Sequence, residues 1–390
     1  MTRPAANANT CAARIVRVNA HEVVVPAREG AINSPELVGK VGNNWDTWPI
    51  VLLEVTDADG VTALGECGRG NRLADVRDNV ARLVGLRFAG PRLAEVPDAW
   101  LSKPYPGLTE RHPRPDWPAT GPVGTAMEAA ALDWAGKRLG CRATELLGGP
   151  VRPALPVAYW VGRQAPDRLA RSAERAREMG FSVMKMKSRL GDPVGEQVRA
   201  VHAAAGEDFS LTIDAVFQWY TPLDALPIFR ELEALGGDVQ VEDPFPQELP
   251  DHWHRVREAC AVPLMWHART MDVLRVALRE RCCDGFNACG GLWGLTRQAA
   301  AIALAGYSCW AGSAMELGIR QLALMHAAAA CPACVIPSDF ASALVREHML
   351  VQWDWPYRDG LLTLPDGPGL GVELDREALE HYRRDHEVFE

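Results

Sequence analysis

Two lysines and two acids near the middle of the chain have the residue types and spacing of proton-transfer and cation-binding groups. Lys185-Met186-Lys187 ends a run at 181–187 that reads as a β-strand. Side chains alternate along a strand, so the lysines share one face and Met186 points away. Two ammonium groups held together make each other harder to charge, and burial adds to this, so at least one pKa is expected to fall. A lysine tuned downward can act as a general base near neutral pH. Asp214 ends the next run (SLTID) and Glu242 ends the one after it (VQVED). Hard oxygen donors on adjacent strand ends suit Mg2+. Read singly, K-x-K also fits an exposed strand edge, and each acid fits a helix N-cap or first turn. Four such residues on three consecutive strand ends point together to one site.

The elements that must position them are short apolar runs alternating with helical patterns. Strands are expected near 155–161, 181–187, 209–214, 238–242, 262–266, 283–287, 306–310 and 333–336. Helices are expected near 167–179, 193–205, 222–235, 247–259, 270–280, 293–305 and 315–330. That alternation argues for an α/β chain built on a parallel (β/α) barrel, whose functional side chains sit at the C-terminal strand ends. Ahead of it, 14–26 and 49–56 read as strands, with 49–66 a hairpin turning at Asp57-Ala58-Asp59-Gly60. Residues 72–86 and 95–102 read as helices, a proline-rich stretch follows, and 123–140 is a strong helix stopped by Gly140. The division expected is a disordered tail at 1–13, an α+β unit at 14–125, the barrel at 126–345 and a returning segment at 346–390. Its last, charge-rich part reads as a solvated surface helix.

The net charge is −9 and no basic face stands out, which argues against nucleic acid as a partner. The N-terminus lacks the apolar stretch of a signal peptide, and no segment is long and apolar enough to span a membrane. Ten cysteines are scattered without a paired CxxC frame, so reduced thiols in a cytoplasmic protein are the simplest reading.

Lys-x-Lys, then Asp, then Glu-Asp-Pro resembles the enolase superfamily, in its mandelate racemase/muconate lactonizing group. MEAAALDWAGKRLGCRATELLGG (127–149) looks like that group's helix into the barrel, GSAMELGI (312–319) like its eighth-strand region, and PDGPGLGVEL (365–374) like its C-terminal closure. The resemblance implies a modified (β/α)7β barrel under an α+β capping domain that the C-terminal segment completes. It also implies Asp214 and Glu242 as metal ligands, Lys187 as general base, Lys185 as its partner, and Glu316 as an acid after the seventh helix that supports the site. A homo-oligomer is expected on the same ground. Physically, a cation on the substrate carboxylate stabilises the enediolate left when the neighbouring proton departs.

Two positions depart from the pattern. Where the resemblance implies a third carboxylate at the fifth strand end, Ala268 stands, with His267 one residue earlier. His267 could ligate after a shift of one residue, and imidazole suits softer cations than Mg2+. It could equally be a catalytic acid or a satisfied polar residue. The sixth strand has no lysine, and Asp284 lies one residue off register as a candidate acid. The seventh strand has no histidine. With one base in view, β-elimination from a sugar acid is the expected reaction, with racemisation, epimerisation or cycloisomerisation on the same scaffold, or an acid-binding relative without turnover, as alternatives. The polar segment 28–48, with Asn33, Asn43, Asn44, Asp46 and Trp48, corresponds to the group's specificity loop, though its polarity equally fits a surface loop, and Arg69 and Arg72 are candidates to reach a substrate carboxylate. The partner expected is a small carboxylate.

Overall fold

The computed structural model describes residues 12–33, 48–94 and 121–390. The expected helix at 95–102, most of the proline-rich stretch, and Asn43, Asn44 and Asp46 of the polar loop lie outside these.

The first unit is an antiparallel sheet. β1 (Ala12–Val23) pairs with β2 (Ile50–Asp57), which pairs with β3 (Thr62–Glu66); β4 (Arg87–Ala89) adds to the start of β1. Ala12 and Ala13, expected in the tail, are strand; the rest of the expected tail lies outside the described residues. The β2–β3 hairpin forms as expected, because the Asp57 carboxylate accepts the Asp59 and Val61 N–H groups at 2.9 and 2.8 Å across the turn.

Seven parallel strands follow in sequence order: β6 (Tyr159–Val161), β7 (Val183–Lys187), β8 (Ser210–Asp214), β9 (Val239–Glu242), β10 (Leu264–Ala268), β11 (Gly285–Ala288) and β12 (Cys309–Ala311). Each is followed by a helix on the outside, as the alternating pattern requires. The eighth strand expected at 333–336 is reduced to two parallel bridges, Cys309 with Cys334 and Val157 with Ser338, which link the sheet's two edges. A small sheet of β5 (Ala154–Pro156), β13 (Tyr357–Arg358) and β14 (Leu361–Thr363) lies beside the start of β6. The chain ends in β15 (Arg383–Phe389), antiparallel to β1. The charge-rich tail forms the expected surface helix over Arg376–Tyr382 and then a strand, β15, that its charges do not suggest. The backbone of β1 offers it a ladder, and β15 keeps most of its side chains exposed.

Helix Pro122–Leu139 joins the two units. It is buried nearly all round, and its small residues allow close approach: a Cβ on Gly65 of β3 would stand 2.7 Å from the Ala126 carbonyl oxygen. The buried Asp133 carboxylate accepts N–H bonds from Leu64 (2.9 Å) and Leu370 (2.8 Å) and pairs with Lys137 at 2.9 Å, tying hairpin, helix and C-terminal closure together. The expected boundary at 125/126 falls inside this helix. We propose moving it to 121/122 and keeping the one at 345/346.

Two barrel helices borrow their N-caps across that junction. Helix Gly291–Leu304 starts after glycine and helix Gly318–Ala330 after leucine, neither with a cap of its own. Glu128 of the linking helix accepts Leu292 N–H at 2.9 Å, and Glu66 at the end of β3 accepts Leu317 and Arg320 N–H at 2.7 and 2.9 Å. Burial pushes the Glu128 carboxyl up to about 8. The folded state then holds a proton that the unfolded chain releases above its ordinary carboxylate pKa. Stability from this group is full below that pKa and falls as pH rises toward about 8. Glu128→Gln should remove this fall: urea unfolding at pH 5 and pH 8.5 should show a smaller loss in the variant than in the wild type.

Candidate active site

Alternation on β7 puts Lys185 and Lys187 on the inner face, and both reach the carboxylate at the end of β8. Lys187 Nζ pairs with Asp214 Oδ2, and Lys185 Nζ stands 3.8 Å from the same atom. Lys185 is the deeper of the two. Its ammonium lies 2.6 Å from Glu242 Oε2 and 2.7 Å from Asp339 Oδ2, and 5.1 Å from the Trp310 ring centre. Lys187 sits nearer the mouth, with 29% of its side chain exposed. Asp214 and Glu242 are direct partners in the β8–β9 register.

The charges settle differently from the expectation for a lysine pair. Burial opposes the Lys185 charge, but Asp339, Glu242 and Asp214 outweigh it and raise its pKa. Three facing carboxylates override the repulsion from Lys187, so Lys185 is held as an ammonium. Burial would raise Asp214, yet Lys187 and Lys185 hold it down at about 2. Burial, then the Asp214 charge, pushes Glu242 up, and Asp243 beside it moves the same way.

At the fifth strand end the pleat decides which residue faces inward. Trp266 packs on Trp253 of the outer helix Pro250–Ala259 with ring centres 4.5 Å apart, so Trp266 points outward and His267 points in. Ala268 shares the outward face, so a carboxylate there would miss the barrel interior; His267 is the site-facing residue without any shift. Its Nδ1 is 3.8 Å from Asp243 Oδ2 and its Nε2 is 3.1 Å from Cys289 Sγ. Burial and Lys185 push the imidazole down to about 3, so it is neutral at neutral pH and free to donate a lone pair. Donor atoms of Glu242, Asp243 and His267 lie within 4.8 Å of one another, a set that fits a divalent cation.

The remaining sequence candidates scatter. Asp284 is not at the site. It precedes β11 at the opposite end of the barrel, where it accepts Arg257 at 2.6 Å and the Leu264 N–H at 2.9 Å. Glu316 is buried in the loop after β12, ahead of the seventh barrel helix and not after it. It accepts Ser313 Oγ at 2.5 Å and faces Arg320 at 3.4 Å. Arg69 lies with its guanidinium 5.0 Å from the Trp48 ring centre, and Glu316 bears on its charge. Asn33 accepts the Arg163 N–H at 2.8 Å beyond the end of β6. Arg69 and Asn33 come from the capping unit, and Glu316 from a barrel loop that meets it.

Sequence reasoning passed over Asp243, Asn287, Cys289 and Asp339. Asp243 was in view as the middle of Glu-Asp-Pro. Asn287 Nδ2 donates to Glu242 Oε1 at 2.6 Å, and two residues on, Cys289 returns to the same face. A search for lysine or acid on that strand does not find an amide and a thiol. Asp339 follows the eighth barrel position, where no regular strand forms to lend it a register.

A family profile described as enolase C-terminal domain-like matches residues 168–378, more than half of the chain. The chain belongs to the enolase superfamily, in its mandelate racemase/muconate lactonizing group. The chloromuconate cycloisomerase of Cupriavidus necator is 26% identical over 349 residues, covering 86% of this chain and 91% of that protein. The D-galactarolactone cycloisomerase of Agrobacterium fabrum is 28% identical, covering 85% and 91%. Among solved structures, muconate cycloisomerase from Pseudomonas fluorescens has a TM-score of 0.74 at 25% identity, covering 96% of this chain and all of that one. The N-succinyl Arg/Lys racemase of Bacillus cereus shares the fold, with a TM-score of 0.77 at 19% identity over 97% of this chain and all of that one. This protein is thus an enzyme of a superfamily whose members remove a proton beside a carboxylate. These four are cycloisomerases and a racemase, which support the isomerase alternative better than dehydration of a sugar acid. No helix among the described residues is long and apolar enough to cross a membrane.

Proposed function

We propose that the protein is an isomerase that takes the α-proton of a small carboxylic acid or lactone from one face, most simply a cycloisomerase. The observation that carries this is Lys187: an amine at the barrel mouth, on the same face as Asp214 and Glu242 and beside Lys185. Lys187 is read as the base. Lys185, held as an ammonium by Asp339 and Glu242, is read as a fixed positive charge for the carboxylate and the developing enediolate, not as a second base. Asp214, Glu242 and His267 are read as the ligands of a divalent cation, Mg2+ by the superfamily's habit, with Asp243 in reach. When bound, it supplies charge stabilisation to the enolate oxygen.

One amine favours cycloisomerisation over racemisation. A 1,1-proton transfer needs acid and base on opposite faces of the carbon. Across the barrel from Lys187, β11 offers Asn287, which is no acid. In cycloisomerisation Lys187 takes the α-proton, the C–O bond at the β-carbon breaks, and the oxygen stays in the molecule as a carboxylate. Lys187 then passes the proton to solvent, so lactone and ring-opened acid are isomers when both are counted fully protonated, and the reverse reaction takes the proton back and closes the ring. A cytoplasmic homo-oligomer acting on such acids completes the proposal.

The test is incubation in D2O with dicarboxylic acids and their lactones. The expected result is deuterium at the α-carbon together with a ring-opened or ring-closed isomer, and nothing trapped by semicarbazide. A semicarbazide-reactive 2-keto acid would restore the dehydratase reading. No exchange with any acid would remove the catalytic one.

A further inference from the structure

We propose that the cavity between helix Pro166–Glu178 and the first residues of the polar segment 28–48 binds the phosphoryl group of a small anion. None of its lining residues belongs to the lysine–carboxylate cluster, and the proposal does not depend on the functional reading above.

The cavity measures about 210 Å³, smaller than pockets that hold drug-sized ligands, so its ligand is a small one. Arg28, Arg168, Arg171 and Arg175 line it, against one carboxylate, Glu29, among the described residues. In a chain of net charge −9 this concentration of cations is local and not a property of the surface at large. Arg168, Arg171 and Arg175 recur at spacings of three and four along the helix, so they share one face of it.

Part of this charge has no answer within the chain. Arg171 pairs with Asp167 at 3.1 Å, and Arg28 donates to the Glu347 carbonyl at 3.3 Å. Among the described residues, Arg168 and Arg175 take part in no ion pair. Arg168 is folded over Gly30, where an added Cβ would collide with its guanidinium. Arg175 bears on the Tyr159 phenol: burial pushes the phenol's pKa up, and the Arg175 charge offsets part of that rise.

The floor of the cavity is fixed. Gln164 is 2% exposed, Ser172 Oγ donates to its Oε1 at 2.7 Å, and Gln197 Nε2 donates to its carbonyl oxygen at 2.7 Å. That orientation turns the Gln164 Nε2 group toward the Gly30 carbonyl, 3.4 Å away, as a buried donor on the cavity. Guanidinium and amide N–H groups donate, so the complementary ligand is a negative acceptor. A phosphate monoester brings three acceptor oxygens and about two negative charges, which answers several guanidinium forks better than one carboxylate does.

Such a ligand also ties the two units together. Arg28 and Gly30 precede Ile32 and Asn33, which bond the end of β6: the Gly162 N–H donates to the Ile32 carbonyl at 2.8 Å and the Arg163 N–H to Asn33 at 2.8 Å. An anion held from both sides keeps this segment on the barrel, so binding should raise the thermal midpoint.

Full-length protein is titrated by calorimetry with inorganic phosphate and with glycerol 3-phosphate. Both should bind, and succinate should bind about tenfold or more weakly than either. Tighter binding of glycerol 3-phosphate identifies an ester as the ligand; equal or weaker binding identifies free phosphate. Arg168→Gln combined with Arg175→Gln should lower the affinity by about 10²-fold, roughly tenfold for each arginine. Lys187→Ala should leave it unchanged.

A second readout needs no variant. Phenylglyoxal labels accessible arginines, followed by peptide mass. Phosphate should protect Arg168 and Arg175 while the exposed Arg275, on helix Met271–Glu280, still reacts. Phosphate bound equally by the double variant, phosphate binding lost in Lys187→Ala, succinate bound as tightly as phosphate, or labelling of Arg168 and Arg175 unaffected by phosphate would each overturn the proposal. The deuterium assay reads a different site, so neither result decides the other.

Discussion

Lys187→Ala lowers the rate of α-deuterium incorporation by about 10²–10⁴-fold, the loss expected when a positioned general base is removed. The effect belongs in kcat, because the amine acts on the proton in transit while other groups bind the carboxylate. The fold should survive the change with some loss of stability, because Lys187 is one of the two lysines that keep the buried Asp214 ionised. Lys187 is at the mouth with 29% of its side chain exposed, and Asp214 keeps a bond from the Val216 N–H at 2.9 Å and the charge of Lys185 at 3.8 Å. Circular dichroism should therefore match the wild type and the urea midpoint should fall only part-way, while exchange collapses. Exchange that survives in this variant would move the base elsewhere on the rim.

The barrel was legible in the chain because its helices are amphipathic and its strands are short, apolar and evenly spaced. The parts that were not legible lack that contrast. β15 spells RRDHEVF and keeps most of its side chains in water, so no alternating pattern marks it; its pairing with β1 rests on backbone bonds that composition does not reveal. The eighth barrel position is two isolated bridges, too little backbone to impose a period.

The site was legible where a strand carried it. Lys185, Lys187, Asp214 and Glu242 fell where alternation and strand ends placed them, and the structure brings all four together. Register misled where a strand end was uncertain by one residue. On β10 it suggested that Ala268 held the ligand position, and on β11 it promoted Asp284, which serves the other end of the barrel. The direction of the Lys185 shift was out of reach altogether. It depends on Asp339, more than 150 positions away in the chain, which no local pattern connects to β7.

That distant contact makes Lys185→Met the sharper test of the charge arrangement. The ammonium is buried, with 3% of its side chain exposed, and three carboxylates converge on it. Methionine has nearly the same length and no charge, so packing survives and the change is electrostatic. Removing one partner from a buried ionic group costs about 3–5 kcal/mol, because the remaining charges are left unpaired. The sign with pH follows. Without the ammonium, the buried carboxylates of Glu242 and Asp214 are costly when ionised and tolerable when protonated, so their folded pKa values rise. The folded variant then holds protons that its unfolded chain releases, and its stability falls as pH rises above the ordinary carboxylate range. Urea unfolding should show a large deficit against wild type at pH 8 that shrinks toward pH 5. A deficit independent of pH would mean that Lys185 matters for packing and not for charge. A variant as stable as wild type at both values would mean that the carboxylates do not depend on it, and the fixed-charge role given to Lys185 would fall.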